Sequence, residues 1–205
     1  DNLSALVSDP ERPVMVIVGG SKVSTKLDLL NNLVKRVNKL VISGGMAHTF
    51  MKATGIDTVN EANSLVQMDM LDTAKEIMAT AKANNCKIVL PLDVVVSKEF
   101  KPMAEHKTVG LNEIPAEGWS LLDVGAKTIA AINAELDECK TLVWNGPLGV
   151  FEMKPFDTAT WARLTKIYPE RAGVAYELYL RDPKKTANPM TYFTWARKRL
   201  YAREM

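Results

Sequence analysis

Apolar residues in this chain come in short runs that end at glycines. Val14-Met15-Val16-Ile17-Val18 is continuous, rich in β-branched side chains, and stops at Gly19-Gly20. A run without polar alternation fits a parallel strand covered on both faces. Leu40-Val41-Ile42 repeats the pattern and stops at Gly44-Gly45. Ile88-Val89-Leu90 makes a third run, Val94-Val95-Val96 a further extended piece, and Thr141-Leu142-Val143-Trp144 runs into Asn145-Gly146-Pro147. Between these runs the period becomes helical. Residues 25–37 place Leu29, Leu30, Leu33 and Val37 on one face. Helical character returns at 47–52. Over 65–83 one side carries Leu71, Ala74, Ile77, Met78 and Ala81, and residues 128–136 predict another helix. Residues 97–118 are charged and contain proline, which predicts mostly loop with short extended pieces.

Strand, loop and helix in alternation predict an α/β fold with a mainly parallel, Rossmann-like three-layer sheet. In such a sheet ligands bind beyond the carboxyl ends of the strands, where the glycine loops would gather. From Asp157 the pattern changes. Helices are expected over 157–167, 170–181 and 190–202, broken by Pro169 and by the stretch 182–189. The chain therefore divides into an α/β domain, residues 1–156, and a helical basic and aromatic tail, residues 157–205.

Composition sharpens that division. With 47% hydrophobic and 24% charged residues the chain is an ordinary globular sequence. Its net charge of +2 conceals a shift, because the last stretch from Asp157 holds 10 Lys and Arg against 5 Asp and Glu. All the tyrosines (168, 176, 179, 192 and 201) fall there too. No apolar run approaches the roughly 20 residues of a membrane helix. The start, Asp1-Asn2-Leu3-Ser4, shows no signal peptide and no initiator Met, so a cytoplasmic chain processed or excised from something longer is expected. Cys86 and Cys139 match no metal-ligand spacing and read as reduced thiols. His48 and His106 have no visible partner and read as structural or solvated.

Three loops offer chemistry. Gly19-Gly20-Ser21-Lys22-Val23-Ser24-Thr25-Lys26 follows a buried strand and opens a helix. Bare glycine backbone admits a ligand closely, and the first turn of a helix favours phosphate. Lys22 and Lys26 add positive charge, on one helix face if the helix starts that early. The order is neither G-x-x-x-x-G-K-[ST] nor G-x-G-x-x-G. Ser43-Gly44-Gly45-Met46-Ala47 is a second such loop. Asn145-Gly146-Pro147-Leu148-Gly149-Val150-Phe151-Glu152 is a third, with an amide that donates or accepts and a carboxylate able to hold ribose hydroxyls. Each loop alone is equally a tight strand-to-helix turn, but all three at one sheet edge favour a nucleotide.

Those loops, with Leu90-Pro91-Leu92-Asp93-Val94-Val95-Val96 and Leu122-Asp123-Val124-Gly125-Ala126-Lys127-Thr128 between them, resemble phosphoglycerate kinase in order and spacing. The resemblance covers the nucleotide-binding half of that family, to about Phe156. It implies that Lys22 stabilises the phosphoryl group in flight and that Lys26 binds the nucleotide's phosphates. It implies that Gly19, Gly20, Gly44 and Gly45 face the nucleotide, and that Asn145, Pro147, Gly149 and Val150 border its phosphates and base. Glu152 matches the ribose ligand, and Leu65 and Leu122 are similar to residues beside the adenine. The implied reaction moves a phosphoryl group between 1,3-bisphosphoglycerate and ADP, giving ATP, with Mg²⁺. Such transfer needs positioning and charge neutralisation more than a nucleophilic side chain.

Two family features have no counterpart in the sequence. The phosphoglycerate-binding N-terminal domain would precede Asn2, and the Gly-Gly-Gly-Asp-Thr segment that holds the metal–nucleotide should follow Asn145. After Gly149 the only glycine is Gly173. The sheet is therefore expected to be incomplete, with an edge open to pairing. Nucleotide binding without turnover follows, unless a separate chain supplies the phosphoglycerate domain. Two other readings stand beside it. The tail residues Lys184, Lys185, Trp195, Arg197, Lys198, Arg199 and Tyr201 could form a nucleic-acid or protein interaction surface. Alternatively, the break at Asp157 marks a truncated, recombined or engineered chain without catalysis.

Overall fold

The computed structural model describes residues 10–160 and, further along, the backbone of Phe193–Ala196 and Arg199–Ala202. Its centre is β1, Val14–Gly19, buried along its whole length. β1 pairs in parallel with β2 (Lys39–Ser43) on one side and β7 (Thr141–Asn145) on the other, and β2 pairs in parallel with β3 (Lys87–Val89). The register sets Val18 beside Ile42 and Asn145. The carboxyl ends of these three strands therefore finish at one level.

Helices cover both faces, as the continuous apolar runs require. Val14, Val16 and Val18 point into one core with Leu30 and Leu33 of α1 (Leu27–Leu33), Phe50 of α2 (Gly45–Ala53) and Ala74 and Ile77 of α3 (Leu71–Ala83). Met15 and Ile17 point the other way, into a core with Leu142, Trp144 and Ile132 and Leu136 of α4 (Ala126–Asp137). The period-2 alternation of β1 thus feeds two cores, the three-layer arrangement expected. Each fully buried aliphatic side chain contributes about 1.5–3 kcal/mol.

A second, antiparallel sheet stands beside the first, in the order β5 (His106–Gly110), β4 (Asp93–Ser97), β6 (Ser120–Val124). Its buried face shares a core with Met51, Val59 and Ile114. Asp93 at its edge holds the start of α4, accepting the N–H of Lys127 at 3.0 Å and of Thr128 at 2.9 Å. At the opposite end of the parallel sheet, where β2 and β3 begin, Lys39 joins Glu135 at 2.7 Å and Glu138, and Glu135 also joins Lys87. Among the described residues no helix is long and apolar enough to cross a membrane.

The structure departs from the sequence reading in four places. The helix expected at 25–37 is a 3-10 turn, Val23–Thr25, followed by α1 only over Leu27–Leu33. The Thr25 hydroxyl donates to the Lys22 carbonyl, so that carbonyl closes a local turn. The expected helix at 65–83 becomes α3 only at Leu71, because the N–H groups of Leu65 and Gln67 donate to side chains of α2. Of the short extended pieces expected within 97–118 one is β5, but β6 was not expected as a strand. Finally, the helix expected over 190–202 is replaced by a hairpin. β8, Phe193–Ala196, pairs antiparallel with β7, and β9, Arg199–Ala202, pairs antiparallel with β8. Phe, Thr, Trp and Tyr are strand formers, and the edge of β7 offers unpaired backbone groups. Helical backbone begins at Thr158, while the helix expected over 170–181 lies outside the described residues.

Candidate functional site

The loops leaving β1, β2 and β7 are stitched together by backbone. Gly44 N–H donates to the Leu148 carbonyl at 3.2 Å, Met46 N–H to the Gly20 carbonyl at 2.9 Å, and Ser43 Oγ to the Pro147 carbonyl at 3.0 Å. Such proximity leaves no room for side chains at Gly19, where a Cβ would land on the Pro147 carbonyl oxygen. Gly44 adopts φ 65° and opens α2 from a conformation that L side chains rarely take.

Lys26 lies under this junction. Its ammonium donates to the Gly19 carbonyl at 2.6 Å and to Asn145 Oδ1 at 2.5 Å, joining the first loop to the third. Burial holds its pKa below the usual lysine value, because water is displaced from the charged form. Two of its three N–H donors are thus directed at protein oxygens. A Cβ on Gly20 would lie 3.7 Å from Nζ, so the ammonium sits beside bare backbone.

Above the junction opens a cleft of about 300 Å³. Gly20, Gly44, Gly45, Leu65, Leu122, Pro147, Gly149, Val150 and Glu152 line it, all named from the sequence. Gly19, Lys26 and Asn145 stand behind that lining. Lys22 lies elsewhere. It is exposed at the head of the 3-10 turn and lines a second cleft of about 540 Å³ with Ser21, Glu61, Ser64 and Gln67. Lys22 and Lys26 therefore flank the turn and do not share a helical face.

The main cleft also holds residues the sequence reading did not assign to it, among them Phe100, Asp123 and His48. Phe100, 67% exposed, sits in the stretch read as loop and carried no signal beyond its own apolarity. Asp123 falls inside a family-like segment but was not singled out. Its carboxylate accepts the N–H of Val124 at 2.8 Å and of Ala159 at 3.0 Å, and burial together with nearby Asp157 pushes its pKa up to about 8. Gly149 packs so closely that a Cβ there would strike the Asp123 carboxylate. His48, read as structural or solvated, is buried and borders the cleft while its Nδ1 accepts the Leu65 N–H at 3.2 Å. Its place three residues after Gly45 on a helix was the available signal. Burial pushes its pKa down to about 4. His106 lies apart, edge-on to Phe156 with ring centres 5.9 Å apart.

Residues 157–160 pack into the same body. Asp157, Ala159 and Thr160 are buried, and Thr160 Oγ1 accepts the Leu148 N–H at 3.0 Å.

The family model described as phosphoglycerate kinase matches residues 1–177. The chain belongs to the phosphoglycerate kinase family. It is 54% identical over 165 residues to a phosphoglycerate kinase of Cereibacter sphaeroides, covering 80% of this chain and 41% of that protein. One from Methylorubrum extorquens is 52% identical over 162 residues, 79% of this chain and 40% of the relative. The solved phosphoglycerate kinase from Coxiella burnetii superposes with a TM-score of 0.71 at 37% identity, over 78% of this chain and 40% of that one. The Pyrococcus horikoshii enzyme, at 22% identity and a TM-score of 0.61, shares the fold, over 77% of this chain and 40% of that one. The chain thus spans about 40% of the length of the relatives it matches.

Proposed function

We propose that this chain is the nucleotide side of a phosphoglycerate kinase, taking ADP or ATP in the 300 Å³ cleft. The observation that carries the reading is Lys26, fixed between the Gly19 carbonyl and Asn145 Oδ1 where three strand-end loops converge beneath an open cleft. In this reading the apolar walls, Leu65, Leu122, Val150 and Phe100, hold the base. Glu152 accepts ribose hydroxyls, and the phosphates run over Gly20 and Gly44 towards Lys26. Lys22, exposed at the head of the turn, neutralises the phosphoryl group in transfer. Positioning and charge neutralisation of this kind account for most of such catalysis.

Mg²⁺ enters with the nucleotide, and phosphate oxygens and water would supply most of its ligands. Transfer to or from 1,3-bisphosphoglycerate further requires a phosphoglycerate site from a separate domain, brought close by domain closure. The 205-residue chain alone binds nucleotide without turning over.

Calorimetric titration with Mg-ADP tests the reading. Binding near a dissociation constant on the order of 1 mM or tighter is expected, and Lys26→Ala should weaken it at least tenfold, about 1.4 kcal/mol. No heat at millimolar ADP from a folded sample refutes the nucleotide site. Steady ATP formation from 1,3-bisphosphoglycerate, lost in Lys22→Ala, refutes the absence of turnover.

A further inference from the structure

We propose that Gln67 is a positioning residue. It clamps the exposed turn beside Lys22 to α2, so that the apolar wall of the cleft and Lys22 are held as one unit. The proposal rests on the nucleotide reading of the cleft and names residues that act on it without touching the ligand.

Residues 64–67 form a strap between α2 and the turn Val23–Thr25. On one side the strap is tied to α2 by two side chains one residue apart. His48 Nδ1 accepts the Leu65 N–H at 3.2 Å, and Thr49 Oγ1 accepts the Gln67 N–H at 3.0 Å. Thr49 is fully buried and His48 nearly so, which makes this side a rigid anchor. On the other side the Gln67 amide reaches Ser24 at two points. Its Oε1 accepts the Ser24 N–H at 3.2 Å and its Nε2 donates to Ser24 Oγ at 3.0 Å. Ser24 is the middle residue of the turn between Lys22 and Lys26.

The turn is anchored from within by Val23, fully buried in the core, and at its end by Lys26, but Lys22 and Ser24 stay exposed. Its own closure consists of Lys26 N–H to the Val23 carbonyl and Thr25 Oγ1 to the Lys22 carbonyl. The two hydrogen bonds from the Gln67 amide therefore tie down the exposed side of the turn, next to Lys22. Meanwhile the same strap presents Leu65, 58% exposed, to the cleft, and Leu65 packs so tightly on Gly45 that a Cβ there would lie 2.7 Å from Leu65 Cδ1. The Leu65 wall and the Lys22 side of the turn thus hang from one anchor on α2, while Lys26 is held separately by Gly19 and Asn145. A turn already ordered loses less entropy when phosphate engages it, which is how a residue out of contact raises affinity.

The test uses the whole chain, Gln67→Ala and Gln67→Glu, in Mg-ADP titrations and in NMR amide exchange without ligand. Gln67→Ala should weaken ADP binding roughly three- to tenfold, the loss of one or two exposed hydrogen bonds. It should also speed exchange at the Ser24 amide while leaving α2 protection unchanged. Gln67→Glu keeps an acceptor for the Ser24 N–H and lets Ser24 Oγ donate instead, so affinity and Ser24 protection should return to within about twofold of the parent. Unchanged ADP affinity in Gln67→Ala overturns the proposal, and so does unchanged Ser24 exchange. If the parent chain binds no ADP, the nucleotide role falls with the reading of the cleft. Ser24 exchange then decides by itself whether Gln67 holds the turn.

Discussion

His48 gives the fold a measurable sensitivity to acid. Its imidazole is buried in α2, accepts a backbone N–H through Nδ1, and has a pKa pushed down to about 4 from an ordinary 6.5. Below pH 6.5 the unfolded chain takes up a proton at this position, while the folded chain does so only near pH 4. The unfolded state then binds more protons, so stability rises with pH across this window and is lost as pH falls from 6.5 to 4. One pKa unit corresponds to about 1.4 kcal/mol, so by pH 5 the loss amounts to about 2 kcal/mol and over the full window to about 3 kcal/mol.

The wild-type curve alone would hide this. Asp123, whose folded pKa of about 8 lies above its unfolded value of 3.8, has the opposite slope over the same range. The measurement is therefore a difference between the wild type and His48→Asn, whose side-chain oxygen keeps an acceptor for Leu65. Urea unfolding of both chains at pH 7.5, 6 and 5 supplies the free energies. Whatever the offset at pH 7.5, the Asn variant should gain about 2 kcal/mol on the wild type by pH 5. A difference constant within about 0.5 kcal/mol, or one moving the other way, would show that His48 is not held neutral by burial.

Asp123→Asn should show the reverse trend. Stability from a raised acid pKa is present below the unfolded value and lost as pH rises through the folded one, so the variant should gain about 3 kcal/mol on the wild type between pH 5 and 7.5. An amide nitrogen facing one of two N–H donors sets the offset, not the slope, and a flat difference in the same urea series refutes the assignment. Gly19→Ala should cost about 3 kcal/mol or more, because its Cβ overlaps the Pro147 backbone on the neighbouring loop and neither strand end can yield freely. An unfolding midpoint within error of the parent would mean that the loops lie further apart than described.

The parallel sheet was legible because its signal is local. A buried strand announces itself by a continuous apolar run and a helix by its period, and both are read within a dozen residues. The antiparallel sheet was harder for the same reason. β5, His106-Lys107-Thr108-Val109-Gly110, exposes its first three residues and carries little apolar signal. β6 follows Trp119 and carries a buried aspartate, Asp123, within its own run. The helix expected at 190–202 failed where tertiary pairing competes with local period: residues that fit either state go to the strand when an open edge such as that of β7 is available.

The site divides along the same line. Its glycines were readable because close approach of backbone to backbone leaves no alternative residue, and Gly19 and Gly44 are each held by such an approach. What escaped notice was every contact that couples positions far apart in the chain. Gln67 meets Ser24 across 43 residues, His48 meets Leu65 across 17, and Asp123 meets Ala159 across 36. Glycine–lysine loops therefore declare that phosphate is accommodated, but they do not say what keeps the lysines in place. Lys26 is held by Gly19 and Asn145, and beside Lys22 that task falls to an amide, a hydroxyl and an imidazole on elements that would read as inert. Substitutions of Gln67 or Thr49 should alter ADP affinity while every residue lining the main cleft is left as it was.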